Sequence, residues 1–269
     1  MIGSLCRAGA AIGRTTLVSL AALAAVSAHE IGIVYIGEAD SAAAHGVRQG
    51  FAEAATQGEF LGIKYHLVFA DVGETLDGSP VALIVSANPT RLLQIAERHP
   101  DVPVFNTTAG DTILREFCRD NLFHIGPSDA MLEDAERQWQ RKVPGSAASA
   151  RAWHRTFRKY ASAQLNSRFL ARFGQAMDDD AWAGWAAMKL LSDTIARQPT
   201  LSGSLLIEEL KTNLAFDGQK GMGMSFRETG QLRQPLLLVD GDKIVGEAPV
   251  RGVVGTTNLD SLGLPYCPK

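Results

Sequence analysis

The sequence predicts an α/β fold in which a Rossmann-like parallel sheet is flanked by helices, and three observations carry that prediction. From Glu30 onward, short β-branched runs alternate with stretches of helical periodicity, the pattern of βαβ units. The runs end in small hydrogen-bonding clusters at Gly37 to Ser41, Ser86 to Asn88 and Asn106 to Asp111, where an open parallel sheet presents its carboxyl edge. Hydrophobic residues make up 46% of the chain, which supports a real core.

Taken in order, Ile31 to Ile36 reads as the first strand. Asp40 to Gln57 follows as a helix, with Asp40 or Ser41 as N-cap and Val47, Phe51 and Ala54 at helical spacing for its buried face. Ile63 to Phe69, Val81 to Ser86 and Val102 to Phe105 are expected strands, with a helix from Thr90 to Arg98 between the last two. A short helix from Asp111 to Cys118 leads to a strand from Asn121 to Ile125.

Then the alternation stops, and from Ser128 to about Ala215 the chain reads as helices only. Ser128 or Asp129 caps one to about Lys142, and Pro144-Gly145-Ser146 is a break. Ala150 to Phe173 is one or two helices, Asp178 to Asp180 caps a strongly apolar one through Ile195, and Ser202 to Leu214 is another. Strands resume at Gly223 to Phe226, Pro235 to Val239 and Lys243 to Ala248, with Asp240-Gly241-Asp242 as the last turn. The Gly-, Thr- and Pro-rich tail after Pro249 looks extended.

The first residues read as an export signal: Arg7 and Arg14 supply charge, Thr16 to Ala25 is apolar, and Val26-Ser27-Ala28 offers small residues for cleavage. The apolar run falls short of the ~20 residues of a membrane span, so a soluble mature protein with no stable membrane insertion is expected. Cys6 lacks the Leu-x-x-Cys setting of a lipoprotein. The net charge of −3, slightly more acidic once the signal is removed, argues against nucleic-acid and membrane-surface partners. Cys118 and Cys267 survive processing, in a compartment where disulfides persist. Pairing would staple the C-terminus onto the N-terminal half; two separate thiols are the alternative.

Catalytic signatures are missing: there is no G-x-S-x-G, H-E-x-x-H, C-x-x-C or phosphate loop, and Gly221-Met222-Gly223 is a lone G-x-G. The histidines at 29, 45, 66, 99, 124 and 154 have no zinc-type spacing. Asp71, Glu74 and Asp77 fit a solvated loop better than a cation site, and no metal or cofactor is expected. Between Glu136 and Asp178 the chain has no acid but nine Lys and Arg, with Trp139, Trp153 and Phe157 among them. They form either a solvated basic face or a docking surface whose aromatics serve as partner anchors.

The strand ends carry the expected site. Ser86, Asn88, Asn106, Thr107, Thr108 and Ser128 are small hydrogen-bonding residues of the kind that hold a polar solute without reacting with it. The competing reading makes such residues N-caps and turn formers.

Five runs carry a family resemblance: Gly-Ile-Val-Tyr-Ile-Gly at 32–37, Phe-Asn-Thr-Thr-Ala-Gly-Asp at 105–111, Phe-His-Ile-Gly-Pro-Ser-Asp-Ala-Met at 123–131, Asp-Ala-Trp-Ala-Gly-Trp-Ala-Ala-Met-Lys at 180–189, and Phe-Asp-Gly-Gln-Lys-Gly-Met-Gly-Met-Ser-Phe at 216–226. Together they resemble the branched-chain amino-acid-binding branch of type I periplasmic solute-binding proteins. Cys-Arg-Asp-Asn-Leu-Phe-His-Ile-Gly-Pro-Ser at 118–128, Ala-Trp-His-Arg-Thr-Phe at 152–157, Gln-Leu-Asn-Ser-Arg-Phe at 164–169 and Leu-Asp-Ser-Leu-Gly at 259–263 resemble the subgroup associated with PQQ-dependent alcohol oxidation.

The resemblance implies a non-enzymatic periplasmic receptor of an ABC-type uptake system, with a small-molecule solute and a membrane permease as partners. Such proteins have two Rossmann-like lobes, and most of the second is missing between Met131 and Trp153. The implied layout is a signal at 1–28, one lobe from 29–127 and 178–250, a reduced helical remnant at 128–177 and a tail at 251–269. A single-lobed docking protein linked to the same oxidation, having lost the solute cleft, is the alternative; an enzyme would need a dyad the sequence does not offer.

Overall fold

A computed structural model describes Gly3, residues 29–74, Leu76 and residues 78–268. The expected export signal, and Asp77 of the acidic loop, lie outside the described residues.

Five strands form a parallel sheet in the order β2-β1-β3-β4-β5: β1 (His29–Ile36), β2 (Ile63–Ala70), β3 (Ala82–Val85), β4 (Val104–Asn106) and β5 (Leu122–His124). Alternation along each strand builds two cores, because successive side chains leave a strand on opposite faces. Ile31, Ile33, Tyr35, Ile84, Phe105 and Phe123 point to one face, where α1 (Ala42–Leu61) and α5 (Asp179–Arg197) cover them. Val34, Ile36, Leu83, Val85, Val104 and Leu122 point to the other, under α2 (Pro89–Arg98).

Of the two expected caps for α1, Ser41 serves, its Oγ accepting from the Ala44 amide. Small residues let α1 and α5 approach closely: a methyl at Gly46 would run into the Ala181 carbonyl, and one at Gly184 into the Ala43 carbonyl. The Asp178 side chain caps α5 as expected, accepting from the Ala181 amide.

The stretch expected to be free of strands contains one. After α3 (Asp129–Lys142) the chain forms β6 (Ser149–Arg151), and the residues up to α4 (Ser162–Phe173) are turns, so no helix starts at Ala150. Ser149, Ala150 and Arg151 have no strong strand preference of their own. They are held by antiparallel pairing with β9 (Leu236–Asp240), which also pairs β10 (Lys243–Ala248). These strands thus form a second sheet, β10-β9-β6, rather than extending the first.

β9 serves two cores: Leu237 and Val239 enter the large core with α5, while Leu236 and Leu238 meet Met131, Ala135 and Trp139 of α3. Helix α6 (Gly203–Thr212) and a short ribbon of β7 (Ser225–Phe226) and β8 (Leu232–Arg233) complete the fold. The tail is not simply extended. It makes a 3-10 turn at Leu259–Ser261 and is strapped down where Asp260 accepts from Arg227 and Arg233 and where Cys267 is joined to Cys118.

Candidate functional site

In the order β2-β1-β3 the chain leaves β1 to one side and returns on the other, so a crevice opens at the carboxyl ends of β1 and β3. A cleft of about 430 Å3 lies there, lined by Glu38, Ser41, Ser86, Asn88, Thr108 and Asp111 among others. At Gly37, φ is +148°, and a Cβ there would stand 2.8 Å from the Ser86 carbonyl and 3.0 Å from the Tyr35 hydroxyl. Only glycine lets the chain turn this close to the third strand.

Inside the cleft, hydroxyl groups interlock. Ser41 Oγ donates to the Glu38 carbonyl at 2.8 Å, so its 2.9 Å contact with the Tyr35 phenol is one in which Tyr35 donates. Ser86 Oγ lies 3.2 Å from Thr108 Oγ1. Burial raises the Tyr35 pKa above its ordinary value, with Ser41 and Ser86 offsetting part of the shift, so the phenol stays protonated. Exposed Glu38 and Asp111 add two carboxylates to the lining. Among the described residues no His, Cys or Lys lines this cleft.

The six predicted residues divide. Ser86 and Thr108 face the cleft; Asn88 lies at its mouth while its Oδ1 caps α2 through the Arg91 amide at 3.0 Å. Asn106, Thr107 and Ser128 are buried, with their polar atoms turned to the scaffold. Thr107 Oγ1 donates to the Val85 carbonyl at 3.0 Å, and Ser128 caps α3 through the Met131 amide at 3.2 Å. Asn106 folds the loop beside the cleft: its Oδ1 accepts from the Ala109 amide at 2.9 Å and its Nδ2 donates to the Ala109 carbonyl at 2.8 Å.

Asn106 Nδ2 also lies 2.9 Å from His124 Nδ1, which must accept, leaving the proton of a neutral ring on Nε2. Full burial first, and the Arg115 charge second, push the His124 pKa well below its ordinary value, in keeping with that neutral ring.

Two residues of the site escaped the sequence reading. Tyr35 passes for an ordinary core aromatic by its alternation, and only its neighbours reveal the polar end. Arg115, in the expected short helix from Asp111 to Cys118, is buried at 1% exposure and faces inward. Its guanidinium donates to the carbonyls of Ala109, Asp111 and Gly126 and to Gln231 Oε1, holding the loop that carries Thr108. Burial lowers its pKa to about 9, against the opposing pull of Asp129 and Asp111.

Five of the nine cations of the basic stretch are paired within the chain: Arg137 with Asp134, Arg151 with Asp179, Arg155 with Asp242, Lys159 with Glu247 and Arg168 with Glu53. Trp153 and Phe157 are core residues at 1% and 3% exposure, so they cannot anchor a partner in this state. Among the described residues, no three His, Cys, Asp or Glu side chains gather as a metal site. Glu74 closes its own turn by accepting from the Asp71 amide.

Comparison with solved structures fits this geometry. A branched-chain amino acid ABC transporter periplasmic ligand-binding protein from Burkholderia xenovorans superposes with a TM-score of 0.65 at 12% identity, over 79% of this chain and 90% of that one. The chain has the periplasmic binding protein fold. An ABC transporter substrate-binding protein from Desulfitobacterium hafniense, in complex with Leu, gives 0.63 at 15% identity over 80% and 98%. A solute-binding protein of an ABC transporter from Rhodopseudomonas palustris, in complex with 3,4-dihydroxybenzoic acid, gives 0.66 at 9% over 81% and 95%. No protein-family model and no curated protein matches the sequence.

Proposed function

We propose that this protein is the exported, periplasmic substrate-binding component of an ABC-type uptake system, holding a small polar solute without catalysis and delivering it to a membrane permease. The observation that carries the reading is the cleft at the switch point of the parallel sheet. It offers neutral hydroxyls of Ser41, Ser86 and Thr108, with the buried Tyr35 phenol behind Ser41, carboxylates in the lining and no nucleophile beside a base. Such a set hydrogen-bonds a polar solute and attracts a cationic group such as an ammonium, but supplies nothing to activate an attack. The fold shared with solute-binding proteins supports the same reading.

We infer further that the chain stands with the subgroup associated with PQQ-dependent alcohol oxidation, on the sequence runs at 118–128, 152–157, 164–169 and 259–263. On this reading its second lobe is reduced to the three-stranded sheet with α3 and α4. The docking alternative has less support, because its aromatics Trp139, Trp153 and Phe157 are buried and five of its nine cations are paired within the chain.

A thermal-shift panel of L-amino acids and small carboxylic acids tests the receptor. A true ligand at a hundred times its Kd stabilises the native state by about 2.7 kcal/mol and raises the melting temperature. The Ser86→Ala/Thr108→Val variant should lose that rise. An unchanged rise in the variant would remove the site assignment, and a flat response across the panel would count against the receptor.

A further inference from the structure

The cleft is smaller than another cavity, of about 730 Å3, which opens where α3, the turn at 156–159 and β10 meet. Part of its wall is apolar: Trp139, Phe157 and Pro235 are buried, and Met222 and Ile244 are half-buried. Its charges run against a chain of net −3, since Lys142, Arg158, Lys159 and Arg251 stand there against the single carboxylate of Glu247. Glu247 is taken by Lys159 at 2.5 Å. Lys142 Nζ donates to the Arg251 carbonyl at 3.0 Å, keeping its charge at the wall. The exposed guanidiniums of Arg158 and Arg251 have no acidic partner among the described residues.

From this arrangement we propose that the cavity is a second binding site, for an organic anion with an apolar body and two or more carboxylates. Each free guanidinium can take one carboxylate through paired N–H donors, so a ligand with two or more carboxylates can use both. The apolar walls would cover a carbon skeleton and gain nothing from a bare inorganic ion. The volume is that of a site for a ligand of several rings or a short chain. A second copy of the chain is a poor occupant, since it would bring another basic rim to this one.

Isothermal titration with benzene-1,3,5-tricarboxylate as the probe, at fixed ionic strength, tests the inference, with its neutral triamide and sulfate as comparators. The expected result is saturable binding of the tricarboxylate at least tenfold tighter than sulfate, with no binding of the triamide. Arg158→Gln and Arg251→Gln change exposed side chains, so folding should survive, and each should weaken binding tenfold or more. Ser86→Ala in the cleft should leave it unchanged. The inference is overturned by absence of saturable binding up to about 10 mM, a Kd weaker than any specific small-ligand site requires. It is equally overturned by a sulfate response as strong as the tricarboxylate's, by undiminished binding in both arginine variants, or by loss in Ser86→Ala.

Discussion

Replacing Cys118 and Cys267 together by Ala removes a bridge that closes a loop with a sequence separation of 149 residues. Loop-closure entropy for about 150 residues comes to roughly 17 cal/mol/K, or about 5 kcal/mol at 25 °C. A compact denatured chain has less freedom to lose, which lowers the expected cost to between about 2 and 5 kcal/mol. The native tail should keep its place, because Arg227 and Arg233 both donate to Asp260, Gln138 to the Ser261 carbonyl, and the Gly263 amide to Asp134. Urea unfolding of both proteins, followed by far-UV circular dichroism, gives the difference directly. A loss under about 1 kcal/mol would show that these polar ties, and not the covalent link, govern the tail, and would refute the entropic reasoning.

Three further outcomes follow from the packing and the polar network. Gly184→Ala drives a methyl into the Ala43 carbonyl and should cost 1 to 3 kcal/mol or more in urea unfolding, whereas Gly32→Ala, with nothing within 4 Å, should be nearly neutral. Arg115→Met strips donors from the Ala109, Asp111 and Gly126 carbonyls; about 3 kcal/mol of stability should be lost, and amide exchange at 108–111 should quicken. His124 is neutral in the fold but takes a proton in the unfolded chain below about pH 6.5, so stability should fall as pH drops below that value. The slope is at most about 1.4 kcal/mol per pH unit, and a His124→Gln variant, which cannot titrate, should show a shallower one.

The parallel sheet was legible because its signal is local. Alternation in Ile31 to Ile36 and the turn residues after each strand act within a few positions, and the switch-point crevice follows from strand order. What stayed hidden depends on distant partners. Ser149 to Arg151 becomes a strand only because β9 supplies a ladder, and Arg115 turns inward only because four acceptors converge from 109, 111, 126 and 231. Likewise a hydroxyl at a strand end has two fates, and the sequence does not separate them: Thr108 faces the cleft, while its neighbour Thr107 ties down Val85.

The position of β9 constrains how any solute could be captured. Its alternate side chains are embedded on both sides, Leu237 and Val239 in the large core with α5 and Leu236 and Leu238 against α3, so the second sheet is held by one face to the core it shares with the parallel sheet. Rocking the second sheet, with α3, against the parallel sheet would pull Leu237 and Val239 out of apolar surroundings, at about 1.5 to 3 kcal/mol each. If the chain is the receptor proposed above, capture on such a scaffold would proceed on a pre-shaped surface, and a transport partner would have to sense the occupant itself instead of a change in the receptor's posture.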